Sequence, residues 1–371
     1  MGYLTILLRI TFTTTILLLI TTLCLAQDKY QKASLTGPYF GQEPPGDVPQ
    51  YFAPNILGST IHSCPVFTPD GIEAYWSILT GNMTTMKYSV ATDSQWTTPA
   101  DFEFPLEFTT SDSPHITNDG NRLFFVAVLS TGRGQFPKEN IWYMDRISDG
   151  WGEPQLLGPI INNADLHWQI SVADNGNLYF SKFPGDIMLS EYINGQYTQP
   201  QILDSNINKG GSIFEMTPFI APDESYLIFS RHDENAVNQY SDLYISFSKS
   251  DGSWVEAVPI EELNTPNWHE NCPNVTRDGK YLFFVRDYTH WVSAEIINNY
   301  RAICGDANSD GDTNIGDSVF IINNVFRGGP APDPICSGNA NGDSDTNIGD
   351  AVYLINHVFK GGPPPDENCC Q

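Results

Sequence analysis

Basic side chains are scarce: 18 Lys and Arg stand against 44 Asp and Glu in 371 residues, a formal charge of −26. Nucleic-acid binding needs a basic face to replace phosphate counterions, so that class of partner is excluded. Beyond the N-terminal segment there is no apolar run long enough to cross a bilayer as a helix. The chain also lacks Gly-x-Ser-x-Gly, His-Glu-x-x-His and a phosphate loop, which removes the reactions those motifs serve but not a site assembled from distant segments. What is present suffices for a folded core, since 40% of the residues are apolar and the length has room for about two domains.

The first residues, MGYLTILLRITFTTTILLLITTLCLAQ, combine Arg9, a Thr-diluted apolar run and the small-residue end Cys24-Leu25-Ala26. This pattern is expected of a secretory signal peptide, residues 1–26, cut after Ala26. An uncleaved anchor is the alternative, and bulky Leu23 argues against lipidation of Cys24. The mature chain is expected to be secreted or surface-associated, with no membrane span after cleavage. Six cysteines then remain (Cys64, Cys272, Cys304, Cys336, Cys369 and Cys370), an even set that favours disulfides in an exported chain.

Residues 27–302 repeat a strand, a turn and an aromatic strand five times: PVFTPDGIEAYWS, PHITNDGNRLFFV, ISVADNGNLYFS, PFIAPDESYLIFS and PNVTRDGKYLFFV. Asp-Gly or Asn-Gly between apolar runs is a strong hairpin signal. A third strand follows each hairpin, and four units add a segment marked by Trp96, Trp151, Tyr197 or Trp254. The fifth lacks one, and Tyr51-Phe52-Ala53-Pro54 near the N-terminus can supply it. Such sheets bury both faces only by packing around an axis, which predicts an all-β propeller of five blades, with six as the alternative. TPDGIEAYWS, DESYLIFS and DGKYLFF resemble the TolB-like propeller repeat, a variant of the WD-repeat propeller. Cys64 and Cys272 occupy equivalent places in units one and five, and are either a ring-closing disulfide or two buried thiols.

The stretch GDANSDGDTNIGD, Gly305 to Asp317, recurs 33 residues later as GNANGDSDTNIGD, Gly338 to Asp350. Oxygen-bearing side chains fall at alternating positions: Asp306, Asn308, Asp310, Asp312, Asn314 and Asp317, then Asn339, Asn341, Asp343, Asp345, Asn347 and Asp350. That spacing suits a hard cation, with Gly311 allowing the sharp turn, and calcium is expected at both loops. The second site is expected to be weaker, because Asn339 replaces an acid and Ser344 a glycine. Each loop runs into an apolar-striped helix in which Val319, Ile322 and Phe326 match Val352, Ile355 and Phe359.

Residues 303–371 resemble a type I dockerin, a small all-α calcium-binding domain of two F-hand loop–helix repeats. The resemblance implies a cohesin-like partner, with Ile315, Gly316, Ile348 and Gly349 at the contact positions, and their duplication would permit two binding orientations. Cys304, Cys336, Cys369 and Cys370 admit three pairings.

Three residues before the proline position of each unit stand His62, Ser111, His167, Glu215 and Glu270, which ring symmetry would bring toward one mouth of the central channel. They are candidates for a metal or a carboxylate pair, against the simpler expectation of polar strand caps. Trp168 and Trp268 are candidates for the rim. Two functions follow. One is a non-catalytic exported propeller tethered by a calcium-dependent dockerin; the other is a carbohydrate-active enzyme, a glycoside hydrolase or lyase.

Overall fold

A computed structural model describes residues 35–371 except 131–138, 165, 238, 250–251, 302, 309, 311, 333–334, 344, 367–368 and 370–371, and except the side chains of His167 and Trp168. The expected signal segment, Gly311, Ser344 and Cys370 therefore lie outside the described residues.

Five antiparallel sheets form the bulk of the chain. Their inner strands are Ile61–Phe67, Phe108–Ile116, Leu166–Val172, Ile213–Ile220 and Asn271–Val275. Each packs against the next, and the fifth packs back on the first, so the sheets are blades of a closed five-membered ring. Five apolar clusters lie between successive blades, rather than one central core. Blade five contributes only three strands of its own, ending with Thr289–Ser293. Gln50–Tyr51 supplies the fourth, with Gln50 opposite Trp291 and Tyr51 opposite His290.

Residues just before that strand also close the ring. Tyr39 and Phe40 take left-handed backbone angles, φ 49 and 57. Phe40 is fully buried and meets Phe52, Trp76 and Trp96, while Tyr39 packs on Tyr281 and Trp291. Blades one and five are thus joined by aromatic side chains from a segment outside both. Cys64 and Cys272 sit in the same cluster as free, buried thiols, so the joint is made by packing and not by a disulfide.

The hairpin turns behave as the Asp-Gly signals require. Gly71, Gly120, Gly176 and Gly279 have φ between 69 and 89, and Glu224 adopts φ 60 at the matching place. A side chain in that conformation is strained, and Glu224 offsets the strain by binding Asn175, Asn177 and Tyr179 of the preceding blade at 2.6–2.9 Å. Trp96 and Trp151 lie on short outer strands, as expected, whereas Tyr197 and Trp254 precede the outer strands of blades three and four. Trp96 and Trp151 end short hairpins on the third strands. Further two-residue strands pair with the third strands at Ala100–Asp101, Gln155–Leu156, Gln201–Ile202 and Val258–Pro259, the first three directly after a proline and the last after Ala257. In the first three the proline ahead of the edge strand leaves the ladder donors intact.

An asparagine, buried at Asn162 and Asn208 and half-buried at Asn264, recurs as a clamp between a blade's third strand and the connection that follows it. Asn162, Asn208 and Asn264 each accept from a third-strand N–H 21 residues earlier (Ile141, Ile187, Leu243) and donate back to the same residue's carbonyl. Connecting segments would otherwise bury unpaired peptide groups, which costs about 1–3 kcal/mol each.

Near the C-terminus, α1 (Ile315–Arg327) and α2 (Ile348–Lys360) pack on each other. Both start with a capping box, Asn314 with Asp317 and Asn347 with Asp350, and both end at a left-handed glycine, Gly328 and Gly361. Their shared core is Ala307, Ile321, Ala340, Ala351 and Leu354. The expected stripe is not that core: Val319, Phe326, Val352 and Phe359 are exposed. A disulfide joins Cys304 to Cys369, and Cys336 is also disulfide-bonded. No helix among the described residues is long and apolar enough to cross a membrane.

Phe52→Ala should lower stability by about 3–5 kcal/mol, because it empties the joint between the first and last blades. Thermal denaturation measures it, and a change under about 1 kcal/mol would show that the aromatic joint does not hold the ring.

Candidate functional site

Every inner strand breaks register at the same point: Ser63/Val66, Asp112/His115, His167/Ile170, Met216/Phe219 and Asn271/Asn274. Ser113, Thr217 and Cys272, each just before a proline, carry φ near 50 there. Proline has no N–H to give to a ladder, so a bulge accommodates it, and the bulge redirects neighbouring groups. Side chains link the bulge carbonyls across blades. Gln169 Nε2 donates to Pro218 O at 3.3 Å and Pro273 O at 2.9 Å, and Asn274 Nδ2 donates to Pro65 O at 3.2 Å.

Four of the five candidate channel residues have described side chains, and these meet an aspartate, a backbone N–H and two arginines. His62 Nδ1 lies 2.7 Å from Asp112 Oδ2, across blades one and two. Asp112 is further held by the Ser113 N–H at 2.7 Å and by the Ser77 hydroxyl. Ser111 Oγ accepts the Met86 N–H at 3.0 Å. Glu215 and Glu270 are fully buried, and each meets an arginine 16 residues later: Arg231 at 2.9 Å and Arg286 at 2.7 Å. Each arginine also donates to a carbonyl of the preceding connection, Ile207 O or Leu263 O. The two glutamates thus hold blades to their connections. Burial raises both carboxyls above the ordinary range, against the lowering pull of their partners. His167 contributes a backbone position alone, since its side chain is outside the described residues. No group of three or more His, Cys, Asp or Glu among the described residues is placed to hold a metal.

Burial alone would lower His62, but the hydrogen bond and charge of Asp112 raise it. His115 and His290 go the other way. Burial holds each down to about 4, and His115 Nε2 accepts the Val172 N–H at 3.1 Å.

The two C-terminal loops match closely. Asp317 accepts the N–H groups of Asn308 and Asn314 at 3.1 and 2.8 Å, and Asp350 those of Asn341 and Asn347 at 3.1 and 2.8 Å. Asp310 N–H donates to Asp306, and Asp343 N–H to Asn339, each at 3.1 Å. Asp312 and Asp345 give their N–H groups to Asp310 and Asp343. Asn314 and Asn347 cap their helices through Gly316 and Gly349 at 2.6 and 2.7 Å. Burial raises the Asp317 carboxyl, and the nearby Asp306 and Asp310 charges add to that against two backbone donors. Ile315 and Ile348 are both exposed at the loop–helix junctions.

Sequence reasoning missed Asp112, the two arginines and the asparagine clamps. Repeated separations of 16 and 21 residues were the available signal.

No family model matches the chain, and no curated protein does. Among solved structures it is similar to TolB from Acinetobacter baumannii, with 14% identity, a TM-score of 0.38, and coverage of 62% of this chain and 53% of that one. A putative TolB from Agrobacterium tumefaciens gives 17%, 0.38, 60% and 69%. A gluconolactonase from Xanthomonas campestris gives 12%, 0.41, 63% and 71%. The chain spans about half the length of the first of these. Likeness at this level concerns broad architecture and says nothing of activity.

His115 and His290 are neutral in the fold and ordinary in the unfolded chain, so between about 6.5 and about 4 the unfolded state binds more protons. Stability should therefore fall as pH drops through that window. His62 contributes oppositely: its stabilisation is full below its ordinary value and is lost as pH rises through the raised one. Melting temperatures across the acid window check the first sign and those above about pH 6.5 the second, and His115→Gln, which keeps an acceptor for Val172, should flatten the acid limb.

Proposed function

We propose that this chain is an exported, non-catalytic β-propeller binding module, tethered by a calcium-dependent, dockerin-like module to a cohesin-type partner. The observation that carries the reading is the duplication at the C-terminus. Two loops place acids and amides at the same positions, bury the last acid of each, and expose the same row of residues on the following helix.

The donor chemistry fits calcium. Carboxylate and amide oxygens prevail, no thiolate or imidazole is among them, and carboxylates lie close enough to disfavour one another's charge. Asp306, Asn308, Asp310, Asp312 and Asp317 would hold one ion, and Asn339, Asn341, Asp343, Asp345 and Asp350 a second. A bound divalent cation supplies the positive charge that offsets this repulsion. The chain's own contribution is to fix the loops: Asp317 and Asp350 tie each loop to its helix start, and the disulfide at Cys304 and Cys369 joins the ends of the module.

The partner surface is the exposed apolar row. Ile315, Val319 and Phe326 on α1 match Ile348, Val352 and Phe359 on α2, with Phe326 67% and Phe359 66% exposed. Equivalent rows on a pseudo-symmetric pair of helices would let one partner bind in either of two orientations. Gly316 and Gly349 contribute backbone at the same junctions, their N–H groups already engaged by the capping asparagines. Catalysis by channel carboxylates draws no support from Glu215 and Glu270, because each is buried against its own arginine.

Calcium titration of the chelated full chain should resolve two affinities, with the 306–317 loop tighter because it carries four carboxylates against three. Chelation should lower helicity and the melting temperature of the C-terminal transition; indifference to chelator would end the reading. Against a cohesin-type partner, Phe326→Ser or Phe359→Ser alone should change affinity little. The double variant should lose about 100-fold or more, measured by surface plasmon resonance.

A further inference from the structure

Blade four and the segment leading into blade five carry a second polar and aromatic surface. Trp268 is 50% exposed and Tyr240 37%. Trp268 precedes His269, whose ring meets Tyr240 edge-on at 5.0 Å. His232 lies 6.2 Å from His269 and stacks on Phe214, and its buried Nδ1 has no hydrogen-bond partner among the described residues.

Two neighbouring imidazoles suggest a metal, but His269 is already committed. Its Nδ1 accepts the Ser241 N–H at 3.0 Å, which leaves the ring proton on Nε2. A metal would need that lone pair, so His269 serves as a donor instead. Burial, reinforced by the neighbouring His232, lowers its pKa and keeps the ring neutral at pH 7. The surface therefore offers open aromatic faces beside an uncharged N–H donor. Asp233 and Glu234 follow His232, and the chain as a whole is strongly acidic, which disfavours anionic ligands. A ligand with an apolar C–H face, acceptor oxygens and no charge meets all three conditions.

We propose that Trp268, Tyr240 and His269 form a binding site for neutral carbohydrate, in which a sugar ring stacks on Trp268 and a hydroxyl oxygen accepts from His269 Nε2–H. This rests on the propeller being a binding module and specifies its ligand. The stacking face supplies area at low entropic cost, and the single donor fixes orientation.

The test is isothermal titration of the calcium-loaded full chain with xylohexaose, cellohexaose, laminarihexaose and mannohexaose, with a polygalacturonate oligomer as the anionic control. At least one neutral sugar should bind and perturb tryptophan fluorescence, and the anionic control should not. Trp268→Ala should weaken binding about tenfold or more, and His269→Phe, which also removes the acceptor of the Ser241 N–H, should weaken it in a chain that far-UV circular dichroism shows to be still folded. If no neutral oligosaccharide binds, or if Trp268→Ala binds as well as the parent, the site is wrong. Binding that survives Trp268→Ala leaves the binding-module reading standing on another surface. Chromatography of the same mixtures separates the remaining case: released products would overturn the non-catalytic reading while the site remains.

Discussion

Ring closure is the constraint on which the propeller depends. Blade five has three strands of its own, and an open edge there would leave ladder groups and an apolar face exposed. Gln50–Tyr51 covers the edge, and Phe40, Phe52 and Tyr39 fill the joint beside it. One end of the folded chain thereby holds its two most distant blades together, which is why two thiols in the same joint need no bond between them.

The channel follows from that closure. All five inner strands share a bulge, four of them at a proline, and the bulges turn backbone carbonyls to where Gln169 and Asn274 reach them from other blades. The polar groups lining the axis mostly serve each other. Glu215 and Glu270 brace connections, and the His62–Asp112 pair, with Asp112 buried, spans two blades. Chemistry-bearing residue types at an axis are thus poor guides to function until their partners are known.

The C-terminal module shows the opposite economy. Its fully buried core consists of alanines and two aliphatic side chains, with Phe320, Ile322 and Tyr353 packed partly against it, while Val319, Phe326, Val352 and Phe359 are left outside. Asp317 and Asp350 concentrate negative charge where burial penalises it. A module with so small an apolar core leans on its disulfide and on the hydrogen bonds of Asp317 and Asp350 to their loops.

Blade number, hairpin turns, the supplied outer strand and the loop–helix repeat were legible in the sequence, because each depends on local chemistry: Asp-Gly turns, periodic aromatics, and oxygens at fixed spacing. The outer edge was legible only in part: Trp96 and Trp151 do pair with the third strands, whereas in blades three and four the outer strand follows Tyr197 and Trp254. The helix stripe was likewise legible in part. Periodicity reveals that Val319, Ile322 and Phe326 share a face, and the packing of α1 on α2 decides that Ile321 and Leu354 form the centre, with Ile322 against them and Val319 and Phe326 left exposed. Likewise the sequence set His62, Glu215 and Glu270 at equivalent strand positions, while tertiary contact gave one an aspartate and the others arginines. Local propensity is written along the chain; the identity of a neighbour across a blade is fixed only when the ring closes.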